Sequence, residues 1–389
     1  MKHYDIAVIG GGLAGLSLLY HYQRAGLLDD RRILLVDPTP RKAGHDRTWC
    51  FWERGAGPFE PIVYHRWGQV RLHNDGEPVV CRLEPYAYKL IRSDDFYALV
   101  NAALDRLPNL ERLTGAAADV RNTEGGVRFR VGTTEYRADR AYSSRPLPLD
   151  YRAVRQPYLD QHFRGWFVET EDDTFDPEEA TLMDFRTPQL GETRFFYVMP
   201  FTRRRALVEV AIFGNEHLRT PEYDDLLRRY IRDHWTTGGY RIDHYEQGNI
   251  PMTTYPYPHR EGNLIYIGLG GGAARPSTGY AFFGLQRQLA RMARCFPDDA
   301  AVRPWLARHL LYDATLLHIL QRDRLRGADV LTNLFRKNPA PRVLAFLNGE
   351  SSIAEELRLM TTAPTVPFAR SFAEVVFTGR GKKKEKSER

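Results

Sequence analysis

Residues 4–37 are YDIAVIGGGLAGLSLLYHYQRAGLLDDRRILLVD, and this stretch decides the fold. The apolar run at residues 6–9 predicts a buried strand, and the second apolar run at 33–36 predicts another. Between them, residues 16–23 predict a helix, and a glycine-rich turn joins the first strand to this helix. The order strand, tight turn, helix and strand predicts an α/β domain.

The glycines of the turn have the spacing Gly10-x-Gly12-x-x-Gly15. Gly10 permits the turn, Gly12 lets the backbone approach a pyrophosphate, and Gly15 lets the helix pack closely on the strand. The free N–H groups and the positive end of the helix dipole then favour the phosphates. Asp37 lies 22 positions beyond Gly15, where an acidic side chain can bind the ribose hydroxyls.

An ordinary glycine turn is the alternative, but the flanking elements and the acidic residue favour dinucleotide binding. The pattern fits FAD or NAD, and its place at the N-terminus favours tightly held FAD. The residues predicted to contact the cofactor in this part of the chain are Gly10, Gly12, Leu13, Ala14, Gly15 and Asp37.

Composition indicates a globular protein of 389 residues with 43% hydrophobic and 12% aromatic residues. The net charge is +6, of which residues 379–389, GRGKKKEKSER, contribute +4 through six basic and two acidic residues. Such a tail is either solvated and disordered or attracted to an anionic membrane surface. No basic stripe with interleaved aromatics occurs in the body of the sequence, so nucleic acid is not an expected partner.

The three cysteines include no CxxC pair, which favours a reducing cytosol and argues against structural disulfides or a zinc site. No metal site is predicted. No run of about 18 apolar residues is present, and no signal peptide is expected before the first strand. We therefore expect a cytoplasmic protein whose association with a membrane, if any, is peripheral.

A β-hairpin predicted over residues 195–213 carries the candidate acid. By strand alternation, one face of its second strand presents Leu207, Glu209, Ala211 and Phe213, and the other face presents Ala206, Val208, Val210 and Ile212. Glu209 is the only ionisable residue on this apolar strand. Pairing with one of Arg203 to Arg205, or solvation at a strand edge, is the alternative to a role in catalysis.

A second glycine loop follows the apolar run at residues 263–268. It runs through GLGGGAARPSTGY, residues 268–280, and a helix with an apolar face is predicted to begin near Gly279. A glycine loop directed at a helix N-terminus is a second expected cofactor contact, with an ordinary buried loop as the alternative. The predicted contacts here are Gly268, Gly271, Pro276, Thr278, Gly279 and Tyr280.

The predicted architecture is α/β, with a Rossmann-like FAD-binding domain interleaved with a mixed or antiparallel β-sheet domain. The FAD-binding domain is expected to be discontinuous, over residues 1–60, 90–150 and 245–300. The substrate-binding sheet is expected over 61–89 and 151–244. Residues 301–375 are predicted to form a helical region, with candidate helices at 306–322 and 343–360, and 376–389 a disordered basic tail.

Several motifs in this order resemble those of the flavoprotein lycopene β-cyclases, over about residues 4–370. They are the glycine fingerprint, YSSR at 142–145, LMDFR at 182–186, YVMPF at 197–201, LVE at 207–209, GNIPM at 248–252 and PSTGY at 276–280. The PSTGY loop and the hairpin with Glu209 are the most specific.

The resemblance implies a non-redox cyclisation that requires reduced FAD, with NADPH or NADH supplying electrons. A carboxylic acid protonates C2 of a linear carotene, the C5–C6 double bond attacks the cation at C1, and C6 loses a proton. Lycopene would become β-carotene through γ-carotene. The resemblance gives Glu209 the acid/base role and Arg145 a cofactor contact. A carboxyl on an apolar strand suits this chemistry because desolvation keeps it protonated.

Two questions stay open in the sequence. Plant-type members carry two adjacent glutamates in the hairpin motif, whereas Val210 follows Glu209, so Glu209 acts alone or Asp184 assists. Asp184 could equally be a structural partner of Arg186. The rival functions are an FAD-dependent isoprenoid reductase or hydroxylase of related fold, which would consume NAD(P)H with each turnover, and a non-catalytic carotenoid carrier.

Overall fold

The computed structural model describes residues 1–147 and 154–385. Its first sheet contains eight of the described strands. They are β1 (Lys2–Ile9), β2 (Ile33–Asp37), β8 (Leu110–Thr114), β9 (Ala117–Thr123), β10 (Gly126–Val131), β11 (Thr134–Ser143), β17 (Arg260–Glu261) and β18 (Leu264–Tyr266).

The second sheet contains seven of the described strands, and a third contains three. Those of the second are β5 (Gln69–His73), β6 (Val79–Arg82), β12 (Tyr158–Thr170), β13 (Glu179–Asp184), β14 (Thr193–Pro200), β15 (Arg205–Gly214) and β16 (Tyr240–Thr253). Those of the third are β3 (Thr48–Arg54), β4 (His65–Trp67) and β7 (Tyr86–Arg92).

The described α-helices fall into two groups, four that end before residue 300 and five that follow it. The first four are α1 (Leu13–Arg24), α2 (Ser93–Leu104), α3 (Thr220–His234) and α4 (Phe282–Cys295). The last five are α5 (Ala307–Gln321), α6 (Gly327–Lys337), α7 (Ala340–Asn348), α8 (Ile353–Met360) and α9 (Thr365–Glu385).

The first sheet is the Rossmann-like element predicted from the glycine fingerprint. Strands β8, β2, β1, β11 and β18 run parallel in that order, because βαβ connections return the chain in the same direction. Helices α1 and α4 cover one face, and the antiparallel pair β9–β10 extends from β11 over the other. Strands β10 and β11 themselves form an antiparallel hairpin.

The second sheet runs in the order β16-β12-β15-β14-β13-β5-β6 and is antiparallel except for the β5–β13 pair. Its centre is the predicted hairpin, now β14–β15, in which Tyr197 is opposite Glu209. One face packs under α3, and the other faces the third sheet and the C-terminal helices. The interleaved α/β architecture is therefore confirmed.

Four boundaries differ from the sequence prediction. Residues 245–253, expected in the FAD-binding domain, belong to β16 at the edge of the second sheet. The helix expected at 343–360 is two helices, because Gly349 adopts a left-handed conformation with φ of +66° and ends α7. Helix α6 had not been predicted. The tail expected to be disordered from residue 376 is helical as far as Glu385, as the continuation of α9, and residues 386–389 lie outside the described residues.

Candidate active site

Two cavities meet between the first sheet, the second sheet and the C-terminal helices. The first, which we call the glycine cleft, has a volume of about 480 Å³ and extends from Gly12 to Glu209. The second, which we call the apolar cavity, has a volume of about 610 Å³ and lies between the second sheet and helices α5 to α9. Tyr197, Thr278 and Tyr280 line both, so these three residues mark the junction.

The glycine turn forms one end of the glycine cleft. A Cβ at Gly15 would lie 1.9 Å from the Gly10 carbonyl oxygen, and Gly10 itself has a φ of +108°, so both positions require glycine. No side chain caps the N-terminus of α1 at Gly12, which leaves its N–H groups available to a ligand. A Cβ at Gly12 would have only the Lys42 amine nearby, at 3.6 Å. This open, positive helix end fits a pyrophosphate.

Asp37 lies at the end of β2, beside the turn. Its carboxylate accepts hydrogen bonds from the backbone N–H groups of Gly11, at 2.6 Å, and Thr39, at 2.8 Å. A carboxylate has about four acceptor positions, so Asp37 retains capacity for ribose hydroxyls. It lines a small adjoining recess together with Arg41 and Asn101.

The second glycine loop forms the opposite wall of the glycine cleft. Gly268 has a φ of +63° and lies against Ala14, since a Cβ there would be 2.7 Å from the Ala14 Cβ. Gly279 has a φ of +72°, and a Cβ there would lie 2.0 Å from Oε1 of Gln161. That buried oxygen has no hydrogen-bond partner among the described residues. An unsatisfied acceptor and two positions open only to glycine fit a bound planar cofactor.

A buried ion pair holds the PSTGY loop from behind. The Arg275 guanidinium lies 2.8 Å from the Asp313 carboxylate on α5, and the Ser277 hydroxyl donates to the same carboxylate at 2.7 Å. Arg275 also lies over the ring of Trp305. The loop is thus fixed by side chains that point away from the glycine cleft.

The structure brings together most, but not all, of the predicted cofactor contacts. Those that line the glycine cleft are Gly12, Leu13, Ala14, Gly268, Thr278, Gly279 and Tyr280. Gly271 and Pro276 do not line the glycine cleft and instead belong to the body of the second glycine loop. The Arg145 side chain does not line it either, because its guanidinium donates to the Ala117 carbonyl. Ser144, the preceding residue, lines the glycine cleft instead and was not predicted.

Glu209 lies in the wall of the glycine cleft, on the strand face that alternation predicted. Its neighbours Leu207, Ala211 and Phe213 belong to the apolar core facing the C-terminal helices, whereas Val208 and Val210 pack under α3. Burial first, and the charge of Glu246 second, raise the pKa of Glu209 well above its ordinary value of 4.5. Burial therefore favours the neutral carboxylic acid form of Glu209.

Glu209 has no basic partner among the described residues, and the alternative of an ion pair with the arginines of its turn is wrong because all three pair with other acids. Arg204 donates to Asp173, and Arg203 lies 3.9 Å from the same carboxylate. Arg205 pairs with Asp243 and Glu169. All three arginines point away from the glycine cleft at the solvent end of the hairpin.

Glu246 on β16 is a second buried carboxyl in the glycine cleft and was not predicted. Burial raises its pKa to about 7, against hydrogen bonds from the Thr48 hydroxyl and backbone N–H that lower it. The signal in the sequence was its position two residues before the GNIPM motif at 248–252. The motif was identified in the sequence, but the glutamate two residues before it was not.

Aromatic side chains surround the junction of the two cavities. The hydroxyls of Tyr88 and Tyr280 are 3.0 Å apart, and the rings of Trp52 and Tyr280 have centroids 4.5 Å apart. Tyr197 stands opposite Glu209 in the β14–β15 ladder. Aromatic faces attract positive charge, so this cluster favours a cation formed beside Glu209.

The apolar cavity is lined almost entirely by hydrocarbon and aromatic groups. Its wall on the second sheet includes Leu182, Phe195 and Phe213. Its wall on the helices includes Leu331, Phe335, Phe346, Leu359, Phe368 and Phe372. Such a lining accepts a long hydrocarbon and offers few polar groups to hold water.

Asp184 does not reach either cavity. It is fully buried on the opposite face of the second sheet, where Arg186 donates to both carboxylate oxygens, at 2.9 and 2.6 Å, and Tyr230 donates at 2.8 Å. Burial acts to raise the pKa of Asp184, but the hydrogen bonds from Arg186 outweigh it and lower that pKa below 3.8. These contacts favour the structural role and remove Asp184 from the candidate active site.

Neither a metal site nor a membrane-spanning helix is found in the part of the chain that the structure describes. Over residues 1–147 and 154–385, no three potential ligands among His, Cys, Asp and Glu come together. In the same residues, every helix is too short or too polar to cross a bilayer.

Comparison with known proteins supports both the fold and the motifs. The family model described as lycopene cyclase protein matches residues 5–373. A lycopene β-cyclase of Pantoea ananas is 24% identical over 415 residues, covering 97% of this chain and 99% of that one. This relative therefore aligns over its whole length.

Two solved structures share the fold at low sequence identity. A geranylgeranyl bacteriochlorophyll reductase-like protein from Thermoplasma acidophilum matches with a TM-score of 0.60 and 14% identity, covering 96% of this chain and 100% of that one. A flavin-dependent brominase matches with a TM-score of 0.59 and 13% identity, covering 97% and 100%. The interleaved sheets are therefore an architecture found in flavin-dependent proteins.

Proposed function

The chain belongs to the lycopene cyclase family, and we propose that it is a lycopene β-cyclase that converts the linear ends of lycopene to β-rings. The products would be γ-carotene after one closure and β-carotene after two. One observation carries the proposal: a buried, neutral carboxyl without a basic partner, Glu209, lies where the glycine cleft approaches the apolar cavity.

The glycine cleft is the proposed FAD site. The N-terminus of α1 would hold the pyrophosphate, Asp37 the ribose, and the loop from Thr278 to Tyr280 the far end of the cofactor. When bound in its reduced form, FAD would supply negative charge that stabilises a cation, with NADPH or NADH as the source of its electrons.

The apolar cavity is the proposed site of the carotene chain. The chain would lie among the leucines and phenylalanines of the second sheet and α6 to α9, with one end group passing Tyr197 and Tyr280 toward Glu209. A hydrocarbon gains from this transfer in proportion to the area that leaves water. The predominantly apolar lining would also limit capture of the cationic intermediate by water.

The proposed chemistry adds one proton at C2 and removes one from C6, so the substrate is isomerised without net oxidation or reduction. The Glu209 carboxyl donates its proton to C2, which leaves a tertiary cation at C1 and a carboxylate on Glu209. The electrons of the C5–C6 double bond form the C1–C6 bond. Loss of the C6 proton to a carboxylate then restores a double bond at C5 and completes the β-ring. General acid catalysis of this kind contributes roughly 10²- to 10⁴-fold.

The proposal includes peripheral association with a membrane on the cytoplasmic side. Lycopene and γ-carotene partition into lipid, so the substrate would reach the apolar cavity from a bilayer. The net charge of +4 in residues 379–389 is suited to an anionic surface.

The test is coexpression in a bacterial host that accumulates lycopene, followed by chromatography of the pigments. We expect β-carotene to replace lycopene, and γ-carotene alone would mean that only one end is closed. Unchanged lycopene with folded, flavin-loaded protein would overturn the proposal. An assay with purified enzyme and limiting NADPH separates the rival reductase or hydroxylase, because a cyclase makes many product molecules for each NADPH oxidised.

A further inference from the structure

Glu209 and Glu246 face each other across a glycine. In the second sheet, Gly165 of β12 is directly opposite Glu209 of β15 on one side and Glu246 of β16 on the other. Residues directly opposite in antiparallel strands have their side chains on the same face. The two glutamates therefore share one face, with Cα atoms about 10 Å apart, which is twice the spacing between strands.

The missing side chain at Gly165 leaves the space in which the carboxyls approach. A Cβ at this position would lie 3.1 Å from Oε2 of Glu209 and 2.9 Å from Cδ1 of Leu207. The Glu209 carboxyl thus extends over Gly165, toward the strand that carries Glu246. The φ of Gly165 does not require glycine, so this residue provides space and not a special backbone conformation.

The surroundings of the two carboxyls are unequal. Around Glu209 lie neutral groups, namely the Cys50 thiol and the hydroxyls of Tyr197 and Tyr280. Around Glu246 lie the donors of Thr48 and the charges of Arg47 and Asp46. The Lys42 amine lines the same cleft, at the end near Gly12. Donors and a cation stabilise the ionised form, and Glu246 has more of both.

We propose that Glu209 and Glu246 form a carboxyl pair that shares one proton, in which Glu246 is a positioning residue that keeps this proton on Glu209. Two buried carboxylates on one face of a sheet, with only the space at a glycine between their strands, each disfavour the ionisation of the other through their like charge. Glu246, with its hydrogen bonds, carries the negative charge, and its field holds the proton on Glu209. Glu246 would thus supply the second carboxyl that is missing beside Glu209, where Val210 stands in place of the second glutamate of plant-type members. This inference rests on the proposed function.

The main test compares pH profiles of cyclisation for the wild type, Glu246→Gln and Glu246→Asp. Removing the charge of Glu246 lowers the pKa of Glu209, so the alkaline limb of the Glu246→Gln profile should move to lower pH by about one unit or more. Activity at the acidic end should be largely retained. Glu246→Asp keeps the charge and should restore the alkaline limb. Glu169→Gln, on the exposed end of β12, is the matched control and should leave the profile unchanged.

A second measurement does not depend on turnover. Infrared spectroscopy of the flavin-loaded protein without carotene follows the C=O stretch of neutral carboxyl groups as the pH rises. The band that Glu209→Gln removes should disappear at lower pH in Glu246→Gln than in the wild type. Equal titration of that band in both proteins would overturn the pair. A shifted band in a protein without cyclase activity would uphold the pair and reject the proposed function.

Gly165→Ala tests the contact itself. The added methyl group would displace the Glu209 carboxyl from the space over Gly165. We expect the Glu209 band of Gly165→Ala to disappear at a lower pH than in the wild type, closer to the pH at which it disappears in Glu246→Gln. Flavin should still be bound. An unchanged band in Gly165→Ala would contradict the proximity on which the pair depends.

A separate observation concerns the outer rim of the apolar cavity. Five exposed large apolar side chains lie on α8 and α9, and Leu357 and Phe372 among them also line the cavity. The others are Ile353, Val366 and Phe377, of which Val366 is 77% and Phe377 69% exposed. Exposed large apolar side chains on two helices that line a cavity indicate an interaction surface.

We infer that α8 and α9 form the surface through which the protein docks on an anionic lipid bilayer. The cavity that opens beside them suits a hydrocarbon that resides in lipid, and the basic residues 380–389 follow directly in the sequence. Apolar side chains would enter the interface while the basic tail attracts anionic head groups, the two signals that stable peripheral binding requires.

Flotation with vesicles tests this surface without reference to activity. The full chain should float with vesicles of phosphatidylcholine containing phosphatidylglycerol, and the double variant Val366→Asp with Phe377→Asp should bind at least about tenfold more weakly. The matched control replaces two exposed apolar residues elsewhere, Leu190→Asp with Val80→Asp, and should float like the wild type. Equal loss in both double variants, or none in either, would overturn the inference.

Discussion

Asp184 and Glu209 are buried carboxyl groups on opposite faces of one sheet, and their pKa values are shifted in opposite directions. Asp184 is 0% exposed and Glu209 is 9% exposed, yet the more deeply buried Asp184 is the one whose pKa is lowered. Arg186 and Tyr230 donate to Asp184, whereas Glu209 has apolar neighbours and a second acid. Burial sets the cost of a charge, and the partners decide which protonation state the fold selects.

The largest expected effect is the loss of cyclisation in Glu209→Gln, by at least about a hundred-fold. Glutamine has nearly the same shape but cannot donate an acidic proton to C2. Product formation from lycopene by purified, flavin-loaded enzyme is the measurement, and the flavin absorption spectrum reports cofactor retention. Substantial activity in this variant would mean that another residue is the acid and that Glu209 differs from Asp184 only in its protonation state.

Asp184→Asn should lower the free energy of unfolding by about 2 kcal/mol, because it weakens hydrogen bonds between charged groups in a buried position. Urea denaturation measures this change. The folded, flavin-loaded fraction should turn over like the wild type, since Asp184 reaches neither cavity. Asp173→Asn, which breaks an exposed pair with Arg204, is the control and should change stability little. Reduced turnover in the folded fraction would mean that Asp184 contributes to catalysis.

The pH dependence of stability should have opposite signs for the two carboxyls. Asp184, with a lowered pKa, stabilises the fold above its ordinary value of 3.8 and loses that contribution as the pH falls through its folded pKa. Glu209, with a raised pKa, stabilises the fold fully below 4.5 and loses that contribution as the pH rises toward its folded pKa.

The measurement is urea denaturation between pH 5 and 9. Glu209→Gln should gain stability relative to the wild type as the pH rises, by up to about 1.4 kcal/mol for each unit until the folded pKa is reached. Asp184→Asn should keep a constant deficit over this range. Parallel curves for Glu209→Gln and the wild type would mean that Glu209 is ionised in the folded protein.

The sequence was sufficient where the chemistry is local. The fingerprint predicted the β1–α1–β2 unit, and strict alternation along β15 placed Glu209 on the correct face. For Asp184 the sequence left the role open, and alternation could not have given its face because a bulge in β13 shifts the register between Thr181 and Asp184. One extra residue turns the side chain to the other face, and nothing in the sequence LMDFR marks the bulge.

The position of Glu246 beside the GNIPM motif could have marked it as a candidate, but its placement on the same sheet face as Glu209 could not have been predicted from its neighbours in the sequence. The two glutamates share that face because β15 and β16 both pair with β12, in which Gly165 leaves the space between them. Such an arrangement depends on strand order, which a local pattern does not contain. The Arg145 side chain does not line the glycine cleft for a related reason, since its guanidinium donates to a carbonyl on β9.

The ion pair between Arg275 and Asp313 has a consequence for biosynthesis. The glycine turn is among the first parts of the chain to leave the ribosome, but the loop that completes the glycine cleft is not fixed until Asp313 on α5 has been made. At ordinary rates of translation, the roughly 300 residues between them take about 15 to 60 seconds. During this interval the nascent chain carries half of the proposed cofactor site, and we expect tight loading of a cofactor to wait until about four-fifths of the chain has been synthesised.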